Sequence, residues 1–340
     1  RLPAPGREQM LTVSFALAED TPWAKKGHII AWDQMPLNQP PMSTVNRPAD
    51  GSAPKVSEAG GRISVSGDGY EAVFDRALGA LVSYRIDGRE WLSGPMWPNF
   101  WRPPTDNDRG NGMANWARVW RAASRERTVE ECTVATLTGG AVRIATRYAF
   151  PAAGETRAQV SYDVHPGGGL EVTMRLEPKG EKLPMLPRVG LQTRLAGALE
   201  PVRWYGRGPH ENYSDRKTGA AVGRYEATVD ELITHYSEPG ENGHRTDIRW
   251  LELRAGDAAR GLRVRGFPMF EFSAWPHAAE DIEGPSHPHR VPGRDFVTLN
   301  LDAGQMGVGG DNSWGARAHP PYCLPADRVY EHRIWIEPFS

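Results

Sequence analysis

Near the end of the chain, Gly307-Val308-Gly309-Gly310-Asp311-Asn312-Ser313-Trp314-Gly315 gathers four glycines and three small polar side chains around one tryptophan. Glycine lets a backbone take φ > 0 and lets a ligand approach closely. A tryptophan held on such a loop offers a flat apolar face and one N–H donor. The C–H face of a sugar ring fits that platform, and the polar neighbours can bind its hydroxyls. A core tryptophan beside a tight turn is the competing reading. A second polar run spans 100–112, where Asp106, Asn107 and Asp108 follow Trp101-Arg102-Pro103-Pro104-Thr105. Such side chains bind a sugar, bind a cation or cap a helix. Three of them are too few for a calcium site without backbone help, and an Asx-turn-rich loop is the plainer alternative.

The run 204–216 is dense in donors and acceptors. His210 and Glu211 have the chemistry of an acid and a base. Neighbours on an extended chain point to opposite faces, so a hydrogen-bond network holding a turn is the better reading. The run 238–243 is a similar polar turn. His287-Pro288-His289 has a spacing seen in metal sites, but no third ligand is evident, and structural histidines are the reading. Gly206-x-Gly208 lacks the third glycine and the strand-to-helix context of a phosphate loop. No Gly-x-Ser-x-Gly elbow occurs, and no carboxylate pair stands out as a glycosidase pair.

The elements that must position these residues read as strands. Leu170, Val172, Met174 and Leu176 alternate with Glu171, Thr173 and Arg175, a period of two with one wet face. Val160, Tyr162 and Val164 repeat the pattern, as do Ile63 and Val65, and 296–301 and 329–336 are further strands. Gly67-Asp68-Gly69, Asp87-Gly88 and Gly167-Gly168-Gly169 punctuate these runs. Short strands with frequent turns predict an antiparallel all-β architecture, one sandwich or more. Helix is expected over 113–125, capped by Asn111 and packed by its tryptophans, and over 278–282. The proline-rich stretch 40–58 has no periodicity and reads as a linker, giving units 1–42 and 59–340 with 43–58 between them. Two strands, 11–17 and 27–32, precede it and read as the tail of a sandwich that starts earlier.

The chain has 340 residues, 39% hydrophobic and 24% charged, which describes a folded chain of roughly two domains. The net charge of −2, without clustered basic residues, argues against nucleic acid as a partner. No apolar run approaches the ~20 residues of a membrane span. Cys132 and Cys323 read as free thiols, which favours a cytoplasmic location, with a periplasmic one as the alternative. The opening Arg1-Leu2-Pro3-Ala4-Pro5-Gly6 looks like a loop cut from something longer.

Taken in order, five segments make a specific set: Trp101-Arg102-Pro103-x-x-Asp106-Asn107-Asp108-x-Gly110, Gly206-x-Gly208-Pro209-x-Glu211-Asn212-Tyr213-x-Asp215-Arg216, Glu241-Asn242-Gly243-x-Arg245, Ser286-His287-x-His289, and Met306-Gly307-x-Gly309-Gly310-Asp311-x-Ser313-Trp314. Together they resemble the C-terminal part of the large bacterial β-galactosidases of glycoside hydrolase family 2. Gly27-His28-Ile29-x-Ala31-Trp32 resembles the end of the immunoglobulin-like domain that precedes it. The resemblance covers nearly the whole chain. It implies a large antiparallel supersandwich, similar to galactose mutarotases, over 59–340. It implies retaining hydrolysis of terminal β-D-galactosides such as lactose, with both catalytic carboxylates on a (β/α)8 barrel that is not in this sequence. By the resemblance, this chain holds no catalytic residue and is inactive alone.

The resemblance also implies the site. Trp314 stacks on the substrate, with Asp311 and Asn312 beside it, and Arg102, Pro103, Asp106, Asn107, Asp108 and Gly110 form a mobile active-site loop. Glu211, Asn212, Asp215, Arg216, Glu241, Asn242, His287 and His289 remain structural polar turns. No metal or other cofactor is carried over, because the family's Mg2+ and Na+ ligands lie mostly on the missing domains. The expected partners are the galactoside and the barrel-containing remainder, in a homo-oligomeric whole enzyme. Two other classes stay open: an autonomous carbohydrate-binding module, and a mutarotase-like epimerase, which needs a histidine and a carboxylate facing one sugar.

Overall fold

A computed structural model describes residues 8–38, 52–197, 199–256, 260–312 and 314–339. The chain divides into two compact units, 1–44 and 45–340. In the first, Met10–Ala16 pairs antiparallel with Ile29–Pro36, with Met10 opposite Pro36 and Phe15 opposite Ala31. Phe15, Trp23, Ile29 and Ile30 are each more than half exposed. A two-stranded hairpin has no interior, so alternation along it buries nothing by itself.

In the second unit all named strand pairings are antiparallel, and the ladder curls until it closes on itself. One run of neighbours is Thr128–Thr136, Val142–Ala149, Arg157–Val164, Leu170–Glu177 and Tyr330–Phe339. Another is Lys55–Ala59, Arg62–Gly67, Tyr70–Asp75, Ala80–Ile86, Leu92–Asn99, Arg188–Ala196 and Phe296–Gln305. The long strand Gly261–Trp275 belongs to both. Gly261–Gly266 pairs with Tyr330–Phe339, whereas 271–275 pairs with Phe296–Gln305. Arg245–Leu253, Val202–Gly208 and Ala221–Ala227 extend the sheet from its other side.

Three tyrosine hydroxyls donate from one run to carbonyls of the other: Tyr84 to Gly168 at 2.6 Å, Tyr148 to Gly79 at 2.6 Å and Tyr162 to Met96 at 2.9 Å. They show the two runs face to face as layers, which is the antiparallel all-β sandwich architecture that the alternation predicts. Between the layers lie Ile63, Phe74, Ile144, Val160, Val172, Leu176, Leu299 and Ile334, all 3% exposed or less. Five tryptophans, Trp91, Trp120, Trp204, Trp275 and Trp335, are also fully buried. Gly168 is where the fold needs glycine. Its φ is +87°, and a Cβ there would come within 2.9 Å of the Tyr70 ring.

The helical region departs from expectation. In place of one helix over 113–125 there are two short ones, Met113–Trp116 and Arg118–Arg125, and a third, Asp106–Gly110, comes before them. Thr105 caps Asp106–Gly110 and starts helix earlier than the apolar stripe indicates. Gly112, at φ +72°, then breaks the path. Asn111 therefore ends one helix rather than capping the next, and its Oδ1 accepts from Trp116 Nε1 at 3.0 Å. The packed face is as read: Met113, Trp120 and Ala123 are buried, and Trp120 Nε1 donates to Pro184 O at 2.9 Å. Ala279–Glu283 forms the second expected helix. Lys55–Ala59, inside the stretch read as linker, is an exposed strand paired with Arg62–Gly67. Its few apolar residues hid it, and residues 43–51 of that stretch lie outside the described residues.

Candidate functional site

Three loops converge beyond the strand ends Asn99, Gln305 and Arg245, and one buried guanidinium ties two of them together. Arg102 is fully buried. Its Nε and Nη2 donate to the two carboxylate oxygens of Asp108 at 3.0 and 2.9 Å. Nη1 donates to Gln305 Oε1 at 3.1 Å and to Met306 O, and Nη2 also reaches Gly307 O at 3.0 Å. A planar fork with five donors suits this arrangement and an ammonium does not. Asp108 closes a second ring. Its Oδ2 accepts from Thr105 N at 3.0 Å, and its own N–H donates to Thr105 Oγ1 at 3.1 Å, a capping box. Asn107 Nδ2 donates to Val308 O at 3.0 Å. Asp108 thus faces inward on protein partners, while Asp106 faces out and pairs with Arg109 at 2.8 Å. Pro103 O accepts from Glu241 N–H at 3.2 Å, linking in the third loop.

The root of the glycine-rich segment is fixed from below. Asp215 Oδ2 accepts from Gly309 N–H at 2.6 Å, and a Cβ on Gly307 would come 2.7 Å from that carboxylate. At the tip the packing ends. Trp314 is 91% exposed, although five other tryptophans are buried in the core. Its N–H donates to Asn312 Oδ1 at 2.8 Å, which folds the tip into an Asx turn. Asp311 Oδ1 lies 2.7 Å from His319 Nε2, and this hydrogen bond raises the His319 pKa. Gly315, at φ +117°, sits against Gly110 O, so tip and loop touch. Arg317 covers the Trp116 ring at 4.4 Å on the far side.

The other named polar residues line or support this end. Glu211 is buried and accepts from Gly243 N–H at 2.7 Å, from Tyr236 Oη and from Arg216 Nη2. Burial alone would raise its pKa, but these donors together hold it below the ordinary glutamate value. Asn212 Oδ1 accepts from Thr246 N–H at 3.0 Å and Thr246 Oγ1 at 2.7 Å. Asn242 Nδ2 donates to Gly240 O at 2.9 Å, and Asn242 O accepts from Trp275 Nε1 at 2.9 Å. Glu241 Oε1 accepts from Arg188 Nη2 at 2.9 Å and Gln305 Nε2 at 3.2 Å. His287 and His289 are exposed and stacked on each other at 5.6 Å, apart from these loops in the hydrogen-bond network. His210 is exposed too, while Glu211 beside it points inward. Among the described residues no group of three or more His, Cys, Asp or Glu could hold a metal ion, and no helix is long and apolar enough to cross a membrane.

A buried ionisable cluster behind the loops was missed in the sequence. Arg188 Nε lies 3.2 Å from Asp302 Oδ2, and Glu271 Oε2 meets His244 Nε2 at 2.9 Å and accepts from Gln305 N–H at 3.0 Å. Burial drives every neutral form here. His244 is lowered to about 3, with Arg188 adding to the effect, Glu271 is raised to about 8, and Asp302 is raised well above the aspartate value despite Arg188. The signal was present: Asp302 continues the inward run of the strand Phe296–Gln305, and Glu271 lies on Gly261–Trp275 among aromatics. A charge on a strand face reads as solvent-facing until the second layer is known.

Residues 66–336 match the family described as beta galactosidase small chain, and residues 1–38 match the one described as beta-galactosidase, domain 4. A β-galactosidase of Priestia megaterium is 36% identical over 97% of this chain and 32% of its own length. One from Vibrio cholerae is also 36% identical, over 98% of this chain and 32% of its own. The chain thus spans about a third of the length of the curated relatives it matches. Among solved structures, galactose 1-epimerase from Lactobacillus acidophilus aligns with a TM-score of 0.44 at 9% identity, covering 85% of this chain and 99% of that one. With four-fifths of its length matched to one family and its N-terminal strands to the domain before it, this chain belongs to the β-galactosidase small chain family.

Proposed function

We propose that this chain completes the substrate pocket of a β-galactosidase whose catalytic carboxylates lie on a barrel elsewhere in the whole enzyme. The observation that carries the reading is Trp314, 91% exposed on a loop whose root is held by Arg102 and Asp215. A bare indole at the tip of a fixed loop presents a flat apolar face to solvent, where a ring can stack on it. In the proposal Trp314 stacks on the sugar, Asn312 shapes its turn, and Asp311 offers its carboxylate to a hydroxyl. The 103–110 loop, touching the tip at Gly110, closes beside the substrate and excludes water. Pyranoside hydrolysis then proceeds with retention on the barrel's two carboxylates, with any Mg2+ or Na+ held by the same remainder. Galactosides such as lactose are the proposed substrates, and a homo-oligomer is the proposed assembly. Of the two histidine–carboxylate pairs at this end, His244 with Glu271 is buried, whereas His319 with Asp311 is exposed.

The test is hydrolysis of a chromogenic β-galactoside by this chain alone and again with the barrel-containing remainder added. Silence alone and turnover on mixing support a completing domain. In the whole enzyme Trp314→Ala then raises KM about tenfold, the equivalent of roughly 1.4 kcal/mol of lost stacking. Turnover by the isolated chain, free of contaminating enzyme, overturns the reading.

A further inference from the structure

The Trp314 tip stands on two legs, 307–312 and 315–323, closed at the neck where Gly307 N–H donates to Tyr322 O at 2.8 Å. Higher up the legs touch, since a Cβ on Gly310 would collide with Ala316 O. Two side chains then reach out from the second leg, Arg317 to the Trp116 ring and His319 to Asp311. We propose that Arg317 and His319 are positioning residues that hold the Trp314 indole in place for a substrate, and that His319 makes this hold stronger at low pH than at high pH. The proposal rests on the pocket-completing reading and adds what fixes its tryptophan and what regulates it.

Arg317 ties the tip to the body of the fold. Its guanidinium lies 4.4 Å from the Trp116 ring centre, inside the ~6 Å range of a cation–π contact. The ring is fixed in turn. Trp116 packs against the hydrophobic core, and its Nε1 donates to Asn111 Oδ1 at 3.0 Å. Gly315, at φ +117°, lets the chain run against Gly110 O between Trp314 and Arg317.

His319 ties one leg to the other, with Nε2 2.7 Å from Asp311 Oδ1. Its own backbone is held, because His319 O accepts from Tyr322 N–H at 2.9 Å and from Cys323 Sγ at 3.5 Å. Asp311 directly precedes Asn312, whose Oδ1 accepts from Trp314 N–H at 2.8 Å, so the tie ends beside the turn that carries the indole. The other ionisable groups packed around this segment are Arg102, Asp215, Arg317 and Cys323. Arg102 is engaged with Asp108 and Asp215 with Gly309 N–H, and among the described residues Asp311 is the group that bonds the imidazole. That bond raises the His319 pKa, so the imidazolium is present below pH 6.5 and is lost as the pH rises through the raised value. A charged donor binds a carboxylate more strongly than a neutral one.

Both ties are at the surface and individually weak, so neither should register in Tm. Trp314 is 91% exposed and has little other packing, so both should register in where it sits.

The test combines the full chain labelled with 15N-tryptophan and the whole enzyme. The first readout is the {1H}–15N NOE of the Trp314 backbone and indole N–H groups, with Trp314→Phe identifying their signals. The second is KM and kcat for a neutral chromogenic β-galactoside between about pH 5.5 and 8.5, the range in which a histidine changes charge. The expected result is a lower NOE and a KM raised about threefold in Arg317→Ala and in His319→Ala, with kcat and Tm unchanged. Arg317→Lys keeps a cation over the ring and should recover most of the loss. The ratio of KM in His319→Ala to KM in wild type should be largest at the acid end and approach unity at the alkaline end, a ratio that cancels titrations elsewhere in the enzyme. An unchanged NOE in both alanine variants overturns the proposal, as does an unchanged KM in both where Trp314→Ala raises it. A KM ratio that is flat with pH overturns the pH response assigned to His319. An unchanged KM in Trp314→Ala sinks the pocket-completing reading instead, and the NOE alone then decides whether the two residues hold the tip.

Discussion

The root and the tip of the 305–315 segment are built by opposite rules, a few residues apart. At the root, Arg102 spends all its donors on Asp108, Gln305, Met306 and Gly307 and sees no solvent. At the tip, the largest side chain of the protein's repertoire is left 91% exposed with one backbone hydrogen bond to steady it. A folded chain gains stability from the first arrangement and nothing from the second. The difference teaches where to look for function: satisfied polar groups hold geometry, and an exposed indole on a held loop is the part free to be tested against a ligand.

The strongest way to break the comparison is at the root. Arg102→Met leaves Asp108 as a buried carboxylate without its counter-ion, and stability should fall by about 3–5 kcal/mol in urea unfolding. Arg102→Lys should recover only part of it, because one ammonium cannot serve four acceptors. A loss under 1 kcal/mol would show that the knot is ornamental.

The cluster behind the root sets the next effect, through pH. His244 is lowered to about 3, and His277 and His332 to about 4, chiefly by burial. The unfolded chain therefore binds more protons below pH 6.5, and stability should fall as pH drops from 6.5 toward 4. The fully buried His332 alone is worth about 3 kcal/mol of that. Glu271, raised to about 8 by burial and by Asp247, works in the other direction. Its contribution is complete below about pH 4.5 and is lost as pH rises through 8. Unfolding midpoints at pH 5, 6.5 and 9 should thus peak in the middle, and Glu271→Gln should flatten the alkaline limb.

Asp215→Ala removes the acceptor of Gly309 N–H and should cost about 1.5–3 kcal/mol. Trp314→Ala, at the tip, should change Tm by no more than surface substitutions do, within about 0.5 kcal/mol. A larger loss would mean that the indole packs somewhere in the folded chain, contrary to its exposure. The smallest effect belongs to the Asp311–His319 pair. His319 is raised by Asp311, so the pair is intact below pH 6.5 and dissolves as pH rises through the raised value. Trp314 fluorescence anisotropy should drop across that range, and His319→Asn should abolish the step while leaving global unfolding unchanged.

Much of the fold was legible. Leu170–Glu177 and Arg157–Val164 lie where the period-two alternation put them, because a half-wet strand must show its two faces in its sequence. The glycine-rich loop and the polar run at 100–112 were visible as dense polar segments, and the structure brings them together through Arg102 and Asn107. The helix near 113–125 was legible in its buried face but not in its breaks, because a capping box at Thr105 and a left-handed Gly112 override the apolar stripe.

By itself, the sequence determined the all-β antiparallel class, the turns between strands, the family and the residue types crowded at one set of loops. Local pattern carries that information, because alternation, turn chemistry and motif order are properties of neighbouring residues. Only the tertiary structure decided which polar residues are spent and which are left over. Arg102 and Asp108 look as available in the sequence as Asp311, yet two are locked in the interior and one is exposed with His319 as its partner. Tyr213 and Glu241 look like parts of structural turns, yet each keeps one buried atom without a partner among the described residues. Hydrogen-bond satisfaction depends on partners up to two hundred residues away in the chain, as with Arg102 and Gly307, and no local pattern encodes that distance.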